Sequence, residues 1–222
     1  MGKTRIESKR EAENTRKVFD EVQKCDADSV DSIEVDVERI DVRFHHWTSQ
    51  IITVKFCGEA DIASGDIEFD TYILRNRLYV ETKVKGIIET SNLKLDIWLP
   101  GNIFDEIRVN GNSAQVEINS GVVARLVRVE TLSGNIDIRA IFIKAIVKSN
   151  GGNVNMHINA QSRVDAQIST SRGDISIFLK NVRKVNLSAK SQYGKVLNKN
   201  RGQYGYIASL KATTKSGNIT VE

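Results

Sequence analysis

His45, His46 and His157 are the only histidines in the chain, and base or metal chemistry near neutral pH draws first on that residue type. His45 and His46 are adjacent, so in a strand they project to opposite faces and cannot hold one ion together. Solvent exposure is the expectation for the pair. Cleavage of a polysaccharide needs two carboxylates, or a carboxylate with a basic partner, on one outward face. Asp137 stands three residues after Gly134 and Asp174 one after Gly173. Those are different columns of the pattern described below, two rungs apart, so the two do not read as an acid/base pair. Asp26, Asp28 and Asp31 have calcium-like spacing but lack the glycine and terminal glutamate of a calcium loop. Cys25 and Cys57 cannot form a disulfide framework and read as reduced, buried thiols. No Gly-x-Ser-x-Gly elbow, phosphate loop, Gly-x-Gly-x-x-Gly or His-Glu-x-x-His occurs, which disfavours nucleophilic hydrolysis and nucleotide chemistry. No catalytic, cofactor or metal residue is assigned on these grounds. Asn186-Leu187-Ser188 and Asn218-Ile219-Thr220 match the glycosylation sequon, which informs only in a eukaryotic secretory context.

Charge is the other chemical resource. From Asp20 to Asp41 there are nine acids against Lys24 and Arg39, a net of minus seven, and from Ile175 to Val221 there is no acid at all. That second stretch carries Lys180, Arg183, Lys184, Lys190, Lys195, Lys199, Arg201, Lys211 and Lys215, so the overall +4 conceals a dipolar chain. Lysines on outward faces protect strand edges and keep a protein soluble. The first seven also make a candidate surface for an anionic envelope polymer, a membrane surface or the acidic end of a second copy. Nucleic acid is disfavoured, although Tyr193, Tyr204 and Tyr206 stand near these residues and could stack on bases.

The elements that position these residues repeat. Ser133-Gly134-Asn135-Ile136-Asp137-Ile138 returns around Gly152, Gly173, Gly194 and Gly217, and with Ala114 in an earlier copy the intervals are 20, 18, 21, 21 and 23 residues. Seven before the glycine stand Ile107, Val127, Ala145, Ala166, Leu187 and Leu210, and five before it Val109, Val129, Val147, Ile168, Ala189 and Ala212. Three before it the column is small or hydroxylated: Gly111, Thr131, Ser149, Thr170, Ser191 and Thr214. Spacing of two marks a strand. A second strand follows, with Val116, Ile136, Val154, Ile175, Val196 and Ile219 two after the glycine, and an apolar column four after it that fails only at Asn198. The step from three before to two after is odd, so the inward face changes parity and the chain must bend at the glycine. The pattern predicts stacked coils with like residues in vertical ladders, each window lying on the one before it.

Before residue 107 the pattern loosens. Ala12, Val18, Phe19 and Val22 among charges suggest a short amphipathic helix within residues 8–24. Alternation at 33–37, 40–44, 52–56, 78–80 and 93–99 indicates strands, Ser64-Gly65-Asp66-Ile67 echoes the turn, and Pro100 marks a strand end. The expected division is a helical, charged segment over 1–30 and a β-strand-repeat domain over 31–222, with regular rungs from about 107. The composition, 40% apolar and 27% charged with one proline, excludes disorder. No apolar run reaches the ~18 residues of a membrane span, and Met1-Gly2-Lys3-Thr4-Arg5 leads into no hydrophobic stretch. A cytoplasmic chain is the expectation as the sequence stands, and an envelope-associated one if a leader has been removed.

The order of alternating strands, then Leu93 to Pro100 in an apolar-x-apolar-x-apolar-Pro pattern, then serial Ser-Gly-Asn/Asp-Ile turns resembles the bacterial adhesin-like β-strand-repeat domains of unknown function. The resemblance spans roughly 30–222. It implies an all-β, right-handed parallel β-helix or β-solenoid-like stack, frequent envelope association, and no established catalytic residues. The leading expectation is therefore a non-catalytic scaffold or adhesin-like interaction module. The alternatives are an anionic-surface binder acting through residues 175–221 and a carbohydrate-active β-helix enzyme. A homo-oligomer is a corollary, because an open solenoid end exposes strand edges.

Overall fold

The computed structural model describes residues 15–200 and 205–222. Its strands are β1 (Thr15–Asp26), β2 (Ser32–Val37), β3 (Asp41–His46), β4 (Ile51–Leu74), β5 (Arg77–Leu99), β6 (Ile103–Ser113), β7 (Val116–Ile118), β8 (Val123–Ser133) and β9 (Ile136–Ile138). They continue as β10 (Ile141–Gly151), β11 (Val154–Asn159), β12 (Val164–Arg172), β13 (Ile175–Lys180), β14 (Val182–Ser191), β15 (Val196–Asn198), β16 (Tyr206–Ser216) and β17 (Ile219–Val221). From β6 onward each rung is a longer strand, a glycine or alanine corner and a shorter strand, while β2 and β3 are equal in length and turn at Arg39 with φ 55°; the solenoid thus has a long-strand wall and a short-strand wall. Parallel pairing links like strands of successive rungs, for example Val129 to Val147 and Val147 to Ile168. The apolar columns of both walls meet in one dry spine: Ile107, Val109, Val127, Val129, Ile136 and Ile138 are all fully buried.

Three ladders hold the corner. The first is steric: Gly152 has φ +128°, and a Cβ there would stand 2.2 Å from the carbonyl oxygen of Gly134, while at Gly173 it would stand 2.1 Å from that of Gly152. No side chain fits at that rung spacing, whatever its φ preference. In the second, hydroxyls of the column three before the corner reach the corner carbonyl of the neighbouring rung. Thr170 Oγ1 donates to Gly152 O at 3.4 Å, Thr214 Oγ1 to Gly173 O at 3.2 Å and Ser191 Oγ to Gly217 O at 2.7 Å. The third runs through the residue after the glycine. Asn153 N donates to Asn135 Oδ1 (3.0 Å), Asp174 N to Asn153 Oδ1 (2.9 Å), Asn218 N to Asp174 Oδ1 (2.7 Å) and Lys195 N to Asn218 Oδ1 (3.0 Å).

That order, with 218 before 195, exposes a departure from the expected stack. Among the described residues β12 pairs with β10 and β16, and β14 pairs with β16 alone; β13 pairs with β11 and β17, and β15 with β17 alone. The rung β16–β17 is thus slotted between β12–β13 and β14–β15, so the windows do not all lie in sequence order. This accounts for two irregularities of the repeat. Asn198 sits in an apolar column because its rung is the open end, where it is exposed. Lys195 replaces Asn or Asp because, among the described residues, no further rung donates to that position.

The other end is closed by antiparallel structure. β5 runs beside β2 from Arg77 to Glu81 and beside β3 from Lys94 to Leu99, so one strand covers a whole rung. β4 pairs along it through a two-residue turn at Arg75 and Asn76, with φ 51° and 59°, the positive-φ geometry that suits a tight hairpin. The Ser64-Gly65-Asp66 echo lies within this ribbon, where Gly65 opposes Gly86, and not in a rung. The expected N-terminal helix is corrected. Among the described residues there is no α-helix, only a 3-10 turn at Ala27–Ser29, and residues 15–26 are β1, paired antiparallel to β4 along its full length. The free edge of β4 and the packing of Phe19 on Phe56, with ring centroids 5.2 Å apart, outweigh a weak helical periodicity. Residues 8–14 of the expected helix lie outside the described residues.

Candidate functional site

The sequence-derived carboxylates prove to be structural. Asp26 caps the 3-10 turn by accepting from Asp28 N at 3.1 Å, and Asp31 accepts from Asn76 Nδ2 at 3.1 Å. Asp174 is spent on the corner ladder, and Asp137 accepts two hydrogen bonds from Arg139, at 3.0 and 3.1 Å. The two stand on β9 and beside β13, two rungs apart, as their columns required. Cys25 and Cys57 are free and half-buried; burial, then the charge of Asp26, pushes the Cys25 thiol up.

The histidines divide as the alternation requires. His46 is exposed and packs its ring against the turn at Gly121. His45 is half-buried on the outer face of the short-strand wall, with Nε2 2.7 Å from Asp96 Oδ1 and Nδ1 3.2 Å from Asn119 Nδ2. Since the Asn119 amide nitrogen can only donate, Nδ1 accepts and Nε2–H donates to Asp96. His45 stacks on Trp98 at 5.2 Å and 24°, and Trp47 lies against Trp98 at 6.4 Å.

Register extends this cluster into a lane. Trp98 pairs with His45, and the next rungs place Asn119, Arg139, His157 and Phe178 in the same outward column. His157 stacks on Phe178 at 4.6 Å and 16°. The neighbouring outward column holds Asp96, Arg43, Glu117, Asp137, Asn155 and Ser176. A shallow groove runs beside its middle, lined by Arg43, Gln115, Glu117, Asn135, Asp137 and Arg139. Sequence reasoning missed this lane, although it was partly written: Asn119, Arg139, His157 and Phe178 all stand five residues after the corner position.

The long-strand wall carries a different surface. Arg77 bridges Glu34 at 2.7 Å and Glu106 at 3.0 Å, while Arg108 and Arg128 approach Glu106 at 3.1 and 3.5 Å. Burial pushes the Glu106 carboxyl up, but hydrogen bonds from Arg108 and Arg77 and their charges outweigh it and hold it below the usual carboxylate range. Asp36, at the edge of this lattice, is pushed above that range by partial burial and by the carboxylates of Glu81, Glu34 and Glu38.

The basic residues collect at the open end. Arg183, Lys184, Lys190, Lys195 and Lys199 are exposed on or beside the last rung and Lys180 just before it; Lys199 pairs with Glu222 at 2.7 Å. Arg201 lies outside the described residues. Tyr193 and Tyr206 are exposed near this end.

Residues 48–222 match the family model Toastrack DUF4097. No curated protein matches the chain. Among solved structures, a "putative cell adhesion protein" from Clostridium sporogenes shares 12% identity at a TM-score of 0.56, covering 92% of this chain and 99% of its own. A "putative adhesin" from Bacteroides fragilis shares 13% identity at 0.52, covering 91% and 97%. At such identities the likeness is one of fold.

Proposed function

The chain belongs to the Toastrack DUF4097 family, and from that premise we propose that it works as a non-catalytic, adhesin-like interaction module built on a rigid solenoid. The observation that carries this reading is the engagement of the two carboxylates the repeat offered as acid and base, Asp137 and Asp174, and of Asp96 and Glu106; Asp36, whose carboxyl is raised, has other carboxylates, Glu34, Glu38 and Glu81, and Lys83 about it. Asp137 is held by Arg139, Asp96 by His45, Asp174 by a backbone N–H of the next rung and Glu106 by three arginines. A general acid needs a raised pKa and a free approach to its substrate; the pairing of Glu106 lowers its pKa instead. The adhesin names of the two structural neighbours agree with the proposal without adding a residue to it. Incubation with a broad polysaccharide panel is expected to release no new reducing or unsaturated ends. Reproducible turnover abolished by Asp137→Asn would overturn the reading in favour of a carbohydrate-active enzyme.

A second reading rests on the basic end rung, which presents Arg183, Lys184, Lys190 and Lys195 to solvent. On that reading the open end meets an anionic envelope polymer or membrane surface. Retention on anionic vesicles or teichoic-type polymer should fall steeply with salt, and charge reversal at Lys184, Lys190 and Lys195 should abolish it. Retention that ignores both would remove it.

A further inference from the structure

The short-strand wall bears two parallel outward lanes whose chemistry is neither that of a solvated sheet nor that of an ion-pair lattice. One lane, Trp98, His45, Asn119, Arg139, His157 and Phe178, is dominated by flat rings and a planar guanidinium; the other, from Asp96 to Ser176, offers carboxylates, an amide and a hydroxyl. We propose that these lanes form a binding face for an extended, uncharged polysaccharide lying along the solenoid axis, a ligand class that rests on and sharpens the interaction-module reading.

Length, chemistry and charge agree. Six strands at ~4.8 Å spacing give a track of ~24 Å from Trp98 to Phe178, room for several sugar rings. Aromatic faces carry negative quadrupole density and attract the polarised C–H face of a sugar ring, while flanking carboxylate, amide and hydroxyl groups fix its hydroxyls, the division of labour usual in ligand sites. Phe178 is 37% exposed and stacks on His157, with Glu222, paired to Lys199 at 2.7 Å, beyond it in the same column; Trp98 and His45 form the other stack. The ion pairs in and beside the lanes are local: Arg43 with Glu117 (3.9 Å), Arg139 with Asp137 (3.0 Å) and Lys55 with Asp20 (2.8 Å), while Asp96 accepts a hydrogen bond from His45 Nε2 (2.7 Å). Such a face offers oriented donors and acceptors with little net field, which complements a neutral hydroxylated chain. A polyanion would instead be drawn to the basic end rung, well away from the Trp98 end of the track.

The test is titration of the full chain with neutral β-linked gluco-, xylo-, manno- and N-acetylglucosamine oligomers of increasing length, followed by tryptophan emission and calorimetry. Trp98 lies in the lane and Trp47 against it, so occupancy should change the emission. Affinity should rise with chain length until the track is filled, and Phe178→Ser and His157→Ser should each weaken binding roughly tenfold at an unchanged melting temperature. Trp98→Ala tests the opposite end; should it fail to fold, Asp96→Asn takes its place. Silence of the wild-type chain to every oligomer, or binding indifferent to Phe178→Ser and His157→Ser, would overturn the inference while leaving a non-catalytic module intact. Cleavage of the oligomers would instead overturn the proposed function.

Discussion

The two walls of the solenoid are built on the same spine and differ in what they show to water. On the long-strand wall Glu34, Glu106, Arg77, Arg108 and Arg128 form a lattice of ion pairs at 2.7–3.7 Å, in which Arg128 Nε alone is buried without a hydrogen-bond partner among the described residues. On the short-strand wall the outward columns set rings beside isolated ion pairs, and Phe178 is left partly open. The inward residues are interchangeable between the walls; the outward ones are not. Core columns therefore account for the fold, and differences between outward columns are where function is to be sought.

Substitutions at the shared corner should break both walls together and give the largest effect. Gly152→Val would drive a Cβ into the Gly134 carbonyl and should cost at least ~3 kcal/mol, seen as loss of the cooperative thermal transition by circular dichroism; a native-like transition would refute the corner argument. On the long-strand wall, Glu106→Gln should cost about 1–2 kcal/mol at neutral pH. Its carboxyl is held below the usual range in the fold, so its stabilisation is present above the unfolded carboxylate pKa and lost as pH falls through the depressed folded value. Wild type and variant should converge in acid by denaturant titration, and an undiminished gap there would contradict the ion-pair account. Asn153→Ala, which removes one acceptor from the corner ladder, should cost about 1 kcal/mol. On the short-strand wall, Phe178→Ser and His157→Ser should change stability by less than about 0.5 kcal/mol, the signature of side chains kept for something other than folding. Smallest in size and opposite in sign is Asp36→Asn. Because the folded state raises this carboxyl, ionisation opposes folding above the raised value, so the variant should melt about a degree or two higher at neutral pH. That gain should vanish once the pH falls below the unfolded carboxylate pKa.

Much of the architecture was legible because the inward columns are pure. Val129, Val147 and Ile168 align as their spacing demanded, and the odd step across the glycine was a true corner. The slotting of β16–β17 was not legible in those columns, since exchanging two rungs leaves every one of them apolar. Only Asn198 and Lys195 marked it, as faults whose meaning depends on which rung is last. β1 was misread because a strand on an antiparallel ribbon is specified by its partner, β4, more than by its own pattern. The lane was half legible. His157 and Phe178 share a repeat position, but Trp98 joins them only through the β3–β5 pairing, a long-range register that no local pattern encodes.

The exchanged rungs also bear on how the molecule is made. Residues 182–198 leave the ribosome before 206–221, yet β16–β17 lies beneath them and supplies every strand partner that β14–β15 has among the described residues. The growing solenoid thus cannot be wound turn upon turn like thread on a bobbin: the lid is synthesised first and must wait, or swing aside, for the layer it closes. Those basic strands then spend part of their early life unsheltered, and their lysines guard an edge whose partner has yet to arrive.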